Sequence, residues 1–347
     1  MRLGVTPPVE MTGVRAAVDL AARAEDLGYT DVFSSEVGSA DAFSPLAALA
    51  ERTTRVRLGT ALVPVFTRPP ALLAMTAASL QSLSGGRFVL GVGASTANIV
   101  ERWMGQEFRD PLTRVREYVH AVRRIVAGDK VSVEGREIRI DGFRRQAEPV
   151  PPVPIHVGAL GPRMCSLAGE IADGVQFALM TPEGVRGAMN DVTRGMRHTP
   201  RDGAGFDVLQ RIPIAVDEPE PVSELARRFL TGYAIVPTYA SALERQGFGD
   251  AAARVARAWA AGDRAKAVSL LPDELVDAFF VHGTASECRA RLDEYARAGV
   301  RTAVLMHLSI GGTPEERAER IASQLDALSP ASLDPPAQQP IGPSDVT

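Results

Sequence analysis

Short apolar runs alternate with longer stretches of helical spacing over most of this chain. Leu3–Thr6, Asp31–Ser35, Val56–Leu62, Phe88–Val92, Ile155–Val157, Gly174–Phe177, Val208–Val216 and Thr302–Met306 read as eight strands. Between the first two, Ala17, Leu20, Ala21, Ala24 and Leu27 fall on one helix face that stops at Gly28. The clearest unit spans 55–93. Strand Val56–Leu62 is followed by a helix opened by Pro69-Pro70, with a predicted core-facing stripe of Leu72, Met75, Ser79, Leu80 and Leu83. Gly85-Gly86 then reverses the chain into Phe88–Val92, so the unit is βαβ and belongs to a parallel sheet. Eight such strands predict an α/β fold, a closed (β/α)8 TIM barrel. Thr284-Ala-Ser-Glu287 and Thr313-Pro-Glu-Glu316 mark two later helix starts by their capping-box spacing.

Two segments break the rhythm. Residues 130–140 alternate about a turn at Glu134-Gly135 and predict a small β-hairpin outside the barrel. Residues 218–280, rich in Ala, Arg and Leu at helical spacing, predict a helical insertion between strands seven and eight. Insertions at the C-terminal ends of barrel strands overhang the active-site face. The segment 329–347, with five prolines and little apolar content, predicts a disordered tail. The expected organisation is one barrel domain over 1–328, followed by that tail.

Charge and cysteine content narrow the partners. The 347 residues carry 38 basic and 42 acidic side chains, a formal charge of −4, with no basic stripe for nucleic acid or an anionic membrane surface. No run of apolar residues is long enough to span a bilayer, and the N-terminus runs from Met1-Arg2 straight into the first strand. A cytoplasmic protein is expected, and electrostatics alone names no partner. Cys165 and Cys288 lack Cys-x-x-Cys spacing, and the histidines show no paired ligand pattern, so no metal site is expected. No Gly-x-Ser-x-Gly elbow argues for acyl hydrolysis.

The candidate chemistry lies at strand ends. Gly158-Ala159-Leu160-Gly161-Pro162-Arg163 follows strand five and opens a helix. With Gly161 as N-cap and Pro162 as first helical residue, amides and the positive dipole end point outward, which suits a phosphate; an ordinary βα turn is the other reading. Gly91-Val92-Gly93-Ala94-Ser95-Thr96 is a second small-residue loop. It permits close approach of a flat ring, with Ser95 and Thr96 as neutral hydrogen-bond partners, but lacks the third glycine of a dinucleotide fingerprint. Glu36, after strand two, is placed to enter the barrel mouth.

The combination Leu58-Gly59-Thr60, Arg68-x-Pro70, Leu83-Ser84-x-Gly86-Arg87-Phe88-x-Leu90-Gly91-x-Gly93 resembles the bacterial-luciferase-like family. Within it the resemblance is to the oxidoreductases that use coenzyme F420, a 5-deazaflavin. Ser35-Glu36, the 158–162 run, 168–174 and Ala298-Gly299-Val300 extend it over about residues 1–326. The resemblance implies hydride transfer at the deazaflavin C5 to or from an organic substrate, and dimerisation through barrel helices. It implies a non-prolyl cis peptide at Ala61–Leu62 behind the ring. Gly93, Ser95 and Thr96 would lie at the ring, and Gly158, Ala159, Leu160, Gly161, Pro162 and Arg163 at the phosphate. Glu36 and Thr96 stand where relatives keep acid–base groups, but Val37 replaces a usual His and Thr96 a usual Glu. FMN is the alternative cofactor, in a luciferase-type monooxygenase; a cofactor-binding protein without catalysis is the other alternative.

Overall fold

In the computed structural model, residues 1–199, 205–218 and 222–332 are described. The strands are β1 (Arg2–Val5), β2 (Asp31–Ser34), β3 (Arg57–Thr60), β4 (Val63–Pro64), β5 (Phe88–Gly93), β6 (Val131–Glu134), β7 (Arg139–Phe143), β8 (Ile155–Gly158), β9 (Gly174–Ala178), β10 (Asp207–Val216), β11 (Val281–Gly283) and β12 (Thr302–His307). The helices are α1 (Val9–Thr12), α2 (Val14–Asp26), α3 (Phe43–Arg52), α4 (Pro70–Leu83), α5 (Pro111–Val126), α6 (Pro162–Ile171) and α7 (Pro182–Met196) in the first part of the chain. They continue as α8 (Val222–Ala234), α9 (Pro237–Glu244), α10 (Gly249–Ala260), α11 (Arg264–Ser269), α12 (Asp273–Phe279), α13 (Ala285–Arg297) and α14 (Pro314–Ala327).

Parallel pairing runs β1-β2-β3-β5-β8-β9-β10-β12 and returns to β1, closing an eight-stranded barrel. All eight predicted strands are its staves. β4 and β11 are extra edges, on β5 and β10. The predicted hairpin is β6–β7, paired antiparallel outside the ring. The predicted insertion is α8–α12, whose apolar faces form a separate core with Leu179, Ala215 and Leu308 from the barrel's C-terminal rim. Both predicted capping boxes form, at Thr284/Glu287 and Thr313/Glu316. Of the predicted tail, Pro330–Ser332 make a 3-10 turn, with Ala331 N donating to Leu27 O at 3.1 Å; 333–347 lie outside the described residues.

One expectation is corrected. The helix α4 buries Leu73, Ala74, Ala77, Ala78, Leu80 and Gln81, whereas Leu72, Met75 and Leu83 are exposed. The helix has no charged residue, so two candidate apolar faces compete for the core, and the one rich in alanine packs closer to the sheet.

Inside the barrel, alternate residues of each strand point inward and stack in layers. The N-terminal layer is ionic. Arg57 Nε donates to Asp31 Oδ1 at 2.5 Å, and Arg57 Nη2 and Arg2 Nη2 donate to Asp207 Oδ2 at 3.0 and 2.8 Å. Burial alone would raise the Asp207 pKa, but the charges of Arg57 and Arg2 hold it below the usual carboxylate range. Above this plug Phe33, Ala61, Val89, Leu209 and Val304 form an apolar layer. The lower end is therefore filled, and only the C-terminal end can hold a ligand.

Candidate active site

The rim of the C-terminal end is built from small residues. Gly93, Gly158 and Ala178 end β5, β8 and β9, and Ala61 directly follows β3. A Cβ on Gly93 would stand 2.6 Å from Leu62 Cδ2, and one on Gly158 would overlap the same methyl. Both glycines thus exist to admit the Leu62 side chain. The Ala61–Leu62 peptide is cis. Its flanks are tied down: Ala61 N donates to Ser34 O at 2.7 Å, and Glu36 N to Leu62 O at 3.3 Å. Gln176 Nε2 donates to Thr60 O at 2.9 Å, across a gap left open by Gly91.

Three polar atoms at this end are buried without a hydrogen-bond partner: Thr6 Oγ1, Gln176 Oε1 and Arg211 Nε. Buried polar groups are almost always satisfied, so unpartnered atoms at inward positions toward the open end of a barrel suit a polar ligand. Thr6 follows β1, Gln176 lies in β9 and Arg211 in β10. None carries a recognisable sequence signature; only the inward register of their strands, visible once the barrel closes, brings them together.

The structure places the two residues predicted for catalysis in engaged positions. Glu36 Oε2 accepts from Arg68 Nη2 at 2.7 Å and from Ala42 N at 3.3 Å, and Oε1 accepts from Arg68 Nε at 3.4 Å. Arg68 in turn stacks 4.8 Å over the Phe43 ring, and its carbonyl accepts from Tyr118 Oη at 2.6 Å. The Glu36 hydrogen bond is the main cause holding the Arg68 pKa above its ordinary value. Thr96 is buried, with Oγ1 accepting from Ile99 N at 3.4 Å. It lies two residues before the π-helical turn Asn98–Trp103, preceded by Ser95 at a φ of +62°.

The 158–163 run forms the turn the sequence suggests. Gly161 is the extended N-cap of α6, Pro162 its first residue, and no side chain caps it. The amides of Arg163 and Met164 therefore have no intrahelical acceptor. Arg163 is exposed. A second cation, Arg245 from the end of α9, donates through Nη2 to Leu160 O at 2.8 Å. Sequence reasoning missed it, because only the folded insertion brings residue 245 to residue 160. A 530 Å³ pocket adjoins this turn, lined in part by Leu160, Pro162, Thr181, Arg245 and Gln246. Gln246 locks the insertion to the rim, donating to Leu179 O at 3.0 Å and accepting from Thr181 N at 2.9 Å. Among the described residues no cluster of three His, Cys, Asp or Glu could hold a metal, and no helix is long and apolar enough to cross a membrane.

Comparison with known proteins agrees with this geometry. Residues 2–302 match the family model of the luciferase-like monooxygenases. A 5,10-methylenetetrahydromethanopterin reductase of Methanolobus tindarius is 31% identical over 305 residues, 87% of this chain and 93% of that protein. A Mycobacterium tuberculosis protein named provisionally as a coenzyme F420-dependent oxidoreductase is 30% identical over 313 residues, 83% of this chain and 89% of its own. Among solved structures, the coenzyme F420-dependent tetrahydromethanopterin reductase of Methanopyrus kandleri superposes with a TM-score of 0.76 at 23% identity, covering 93% and 96% of the two chains. An F420-dependent secondary alcohol dehydrogenase superposes at 0.75 and 20% identity, covering 94% and 98%. The chain belongs to the luciferase-like monooxygenase family.

Proposed function

We propose that this oxidoreductase uses coenzyme F420, with hydride transfer between the deazaflavin C5 and an organic substrate at the open end of the barrel. The observation that carries the reading is the rim itself: glycine and alanine at the ends of four strands, the buried unpartnered Thr6 Oγ1 and Gln176 Oε1, and an uncapped helix N-terminus beside two arginines. That combination suits a flat polar ring with an anionic tail. The name of the M. tuberculosis relative and the motif run from Leu58 to Gly93 favour the deazaflavin over FMN.

When bound, the deazaflavin supplies the hydride chemistry, and the protein supplies position, water exclusion and electrostatics. Ala61 and Leu62 would back the ring, with Gly93 and Gly158 leaving room for the Leu62 side chain. Ser95 and Thr96 would edge it. The amides of Arg163 and Met164 at the start of α6, with Arg163 and Arg245, would hold the phosphate. Glu36, its carboxylate clasped by Arg68, is assigned a positioning role: the pair fixes the loop after β2 to the start of α4, next to Leu62.

The test is titration of purified protein with F420 and with FMN, followed by fluorescence and absorbance. Saturable F420 binding, at least tenfold tighter than FMN, is expected. FMN binding without F420 binding would overturn the reading. We further assign the protein to the cytoplasm, as a homodimer associating through the uncharged outer face of α4. Leu72, Met75 and Leu83 are 43, 41 and 51% exposed there. They stand beside a 1220 Å³ groove between α4 and residues 141–150.

A further inference from the structure

Arginines that point into this barrel are paired, with one exception. Arg2 and Arg57 share Asp31 and Asp207 in the lower layer. Along β10, Asp207 belongs to that ionic layer and Leu209 to the apolar layer. The next inward position is Arg211, level with Ala178 of β9 and Val304 of β12. Its Nε is buried with no hydrogen-bond partner, and no ion pair to it occurs among the described residues. Arg211 is half-buried as a residue, and a buried N–H left without an acceptor is costly, so such a group persists where a ligand completes it.

What lies around Arg211 specifies that ligand. The insertion brings in Tyr233 and Tyr239, whose rings meet edge to face at 4.8 Å, and Phe229, 5.1 Å from Tyr233. Burial raises the pKa of both phenols, that of Tyr239 to about 12, while the charge of Arg211 opposes the shift in each. The phenols are therefore neutral hydrogen-bonding groups within electrostatic reach of the guanidinium. Glu10 is the acidic group that also acts on Tyr233, and it is exposed. A planar cation with an unmet donor, within electrostatic reach of two phenols set among aromatic rings, fits a carboxylate on an apolar body, because the guanidinium fork matches the two oxygens of a carboxylate.

We propose that Arg211, with Tyr233 and Tyr239, is a specificity site that anchors a carboxylate of the organic substrate at the barrel mouth. The inference rests on the reading of that mouth as the active site, but binding to it requires no cofactor. F420 also carries anionic groups, so the experiment separates the two sources.

Benzoate and its neutral isostere benzamide would be titrated calorimetrically into purified full-length protein, wild type, Arg211→Lys and Arg211→Met. F420 binding to the same three proteins would be measured by fluorescence. The wild type is expected to bind benzoate at least tenfold more tightly than benzamide. That preference should vanish in Arg211→Met and shrink in Arg211→Lys, with F420 affinity within about twofold throughout. Equal binding of the two probes, or a benzoate preference that survives Arg211→Met, overturns the proposal. So does an F420 affinity that falls in step with that for benzoate, which would give the guanidinium to the cofactor. If Arg211→Met fails to fold by circular dichroism, Arg211→Lys decides, since it keeps the charge and loses the fork. Arg211-dependent benzoate binding in a wild type that binds no F420 sustains the anchor while removing the cofactor assignment.

Discussion

Replacing Gly93 with alanine separates a role in the cofactor cradle from a role in the fold. Gly93 has no positive φ, so alanine suits its backbone, and the substitution acts through space alone. The new Cβ would lie 2.6 Å from Leu62 Cδ2 and 3.1 Å from Cδ1. The end of that side chain must therefore retreat by about 1 Å to reach ordinary contact distance. Leu62 is only partly buried and its free side is the barrel mouth, so it can swing there at an off-rotamer cost of about 1 kcal/mol. The space it enters is the space assigned to the ring. Gly91→Ala is the control: its Cβ would overlap Thr60 O, a backbone atom that cannot swing, and the Gln176 amide. That change should cost about 3 kcal/mol or more, at the upper end for overpacking. Urea unfolding and F420 fluorescence titration would be run on both variants. We expect Gly93→Ala to lose about 1 kcal/mol of stability and at least tenfold in F420 affinity, about 1.4 kcal/mol. Wild-type F420 affinity in a folded Gly93→Ala protein would refute the placement of the ring against Leu62.

Three further outcomes follow from other parts of the molecule. Arg245→Met should weaken F420 binding about tenfold at low salt and less at high salt, as expected for a cation at a phosphate; salt-independent loss would point to a packing effect on the 160–161 turn instead. Burial lowers the pKa of both His156 and His307 to about 4, so both are neutral in the folded chain, whereas the unfolded chain takes up protons below about pH 6.5. Their contribution is therefore complete above about pH 6.5 and is lost as pH falls towards 4, by about 2 kcal/mol per histidine at pH 5. Urea midpoints at pH 7.5 and 5 should show the loss, and His307→Gln should reduce it; a pH-independent midpoint would contradict the burial argument. Leu83→Glu, on the exposed face of α4, should elute as a monomer in light-scattering chromatography with F420 binding intact, and an unchanged mass would place self-association elsewhere.

The fold was legible because its signals are local and redundant: each stave is an apolar run bounded by a turn or a cap, and barrel closure needs only their number and parallel sense. The α4 stripe was misread for the opposite reason. In an uncharged helix, periodicity does not distinguish a face rich in leucine and methionine from one rich in alanine, and close approach to the sheet favoured alanine. Of the candidate site, the backbone features were legible, the Gly93 and Gly158 strand ends and the Gly161-Pro162 helix start, since glycine and proline act through their own residue. The site was not legible in Thr6, Gln176, Arg211 and Arg245, whose significance depends on which neighbours they lack or acquire. Arg57 and Arg211 lie on different staves, each followed by an aliphatic residue; only the folded register shows that one arginine meets Asp207 and the other has no ion-pair partner among the described residues. Arg87 is the complementary case. It sits in the motif that carries the family resemblance, yet its guanidinium donates to Ser84 O, Val56 O, Ala50 O and Thr53 O, closing the far end of the barrel's helical layer. A motif can therefore identify the family through residues that hold the scaffold, while the groups proposed to select the substrate lie in the insertion and on the strand β10, where sequence pattern is weakest.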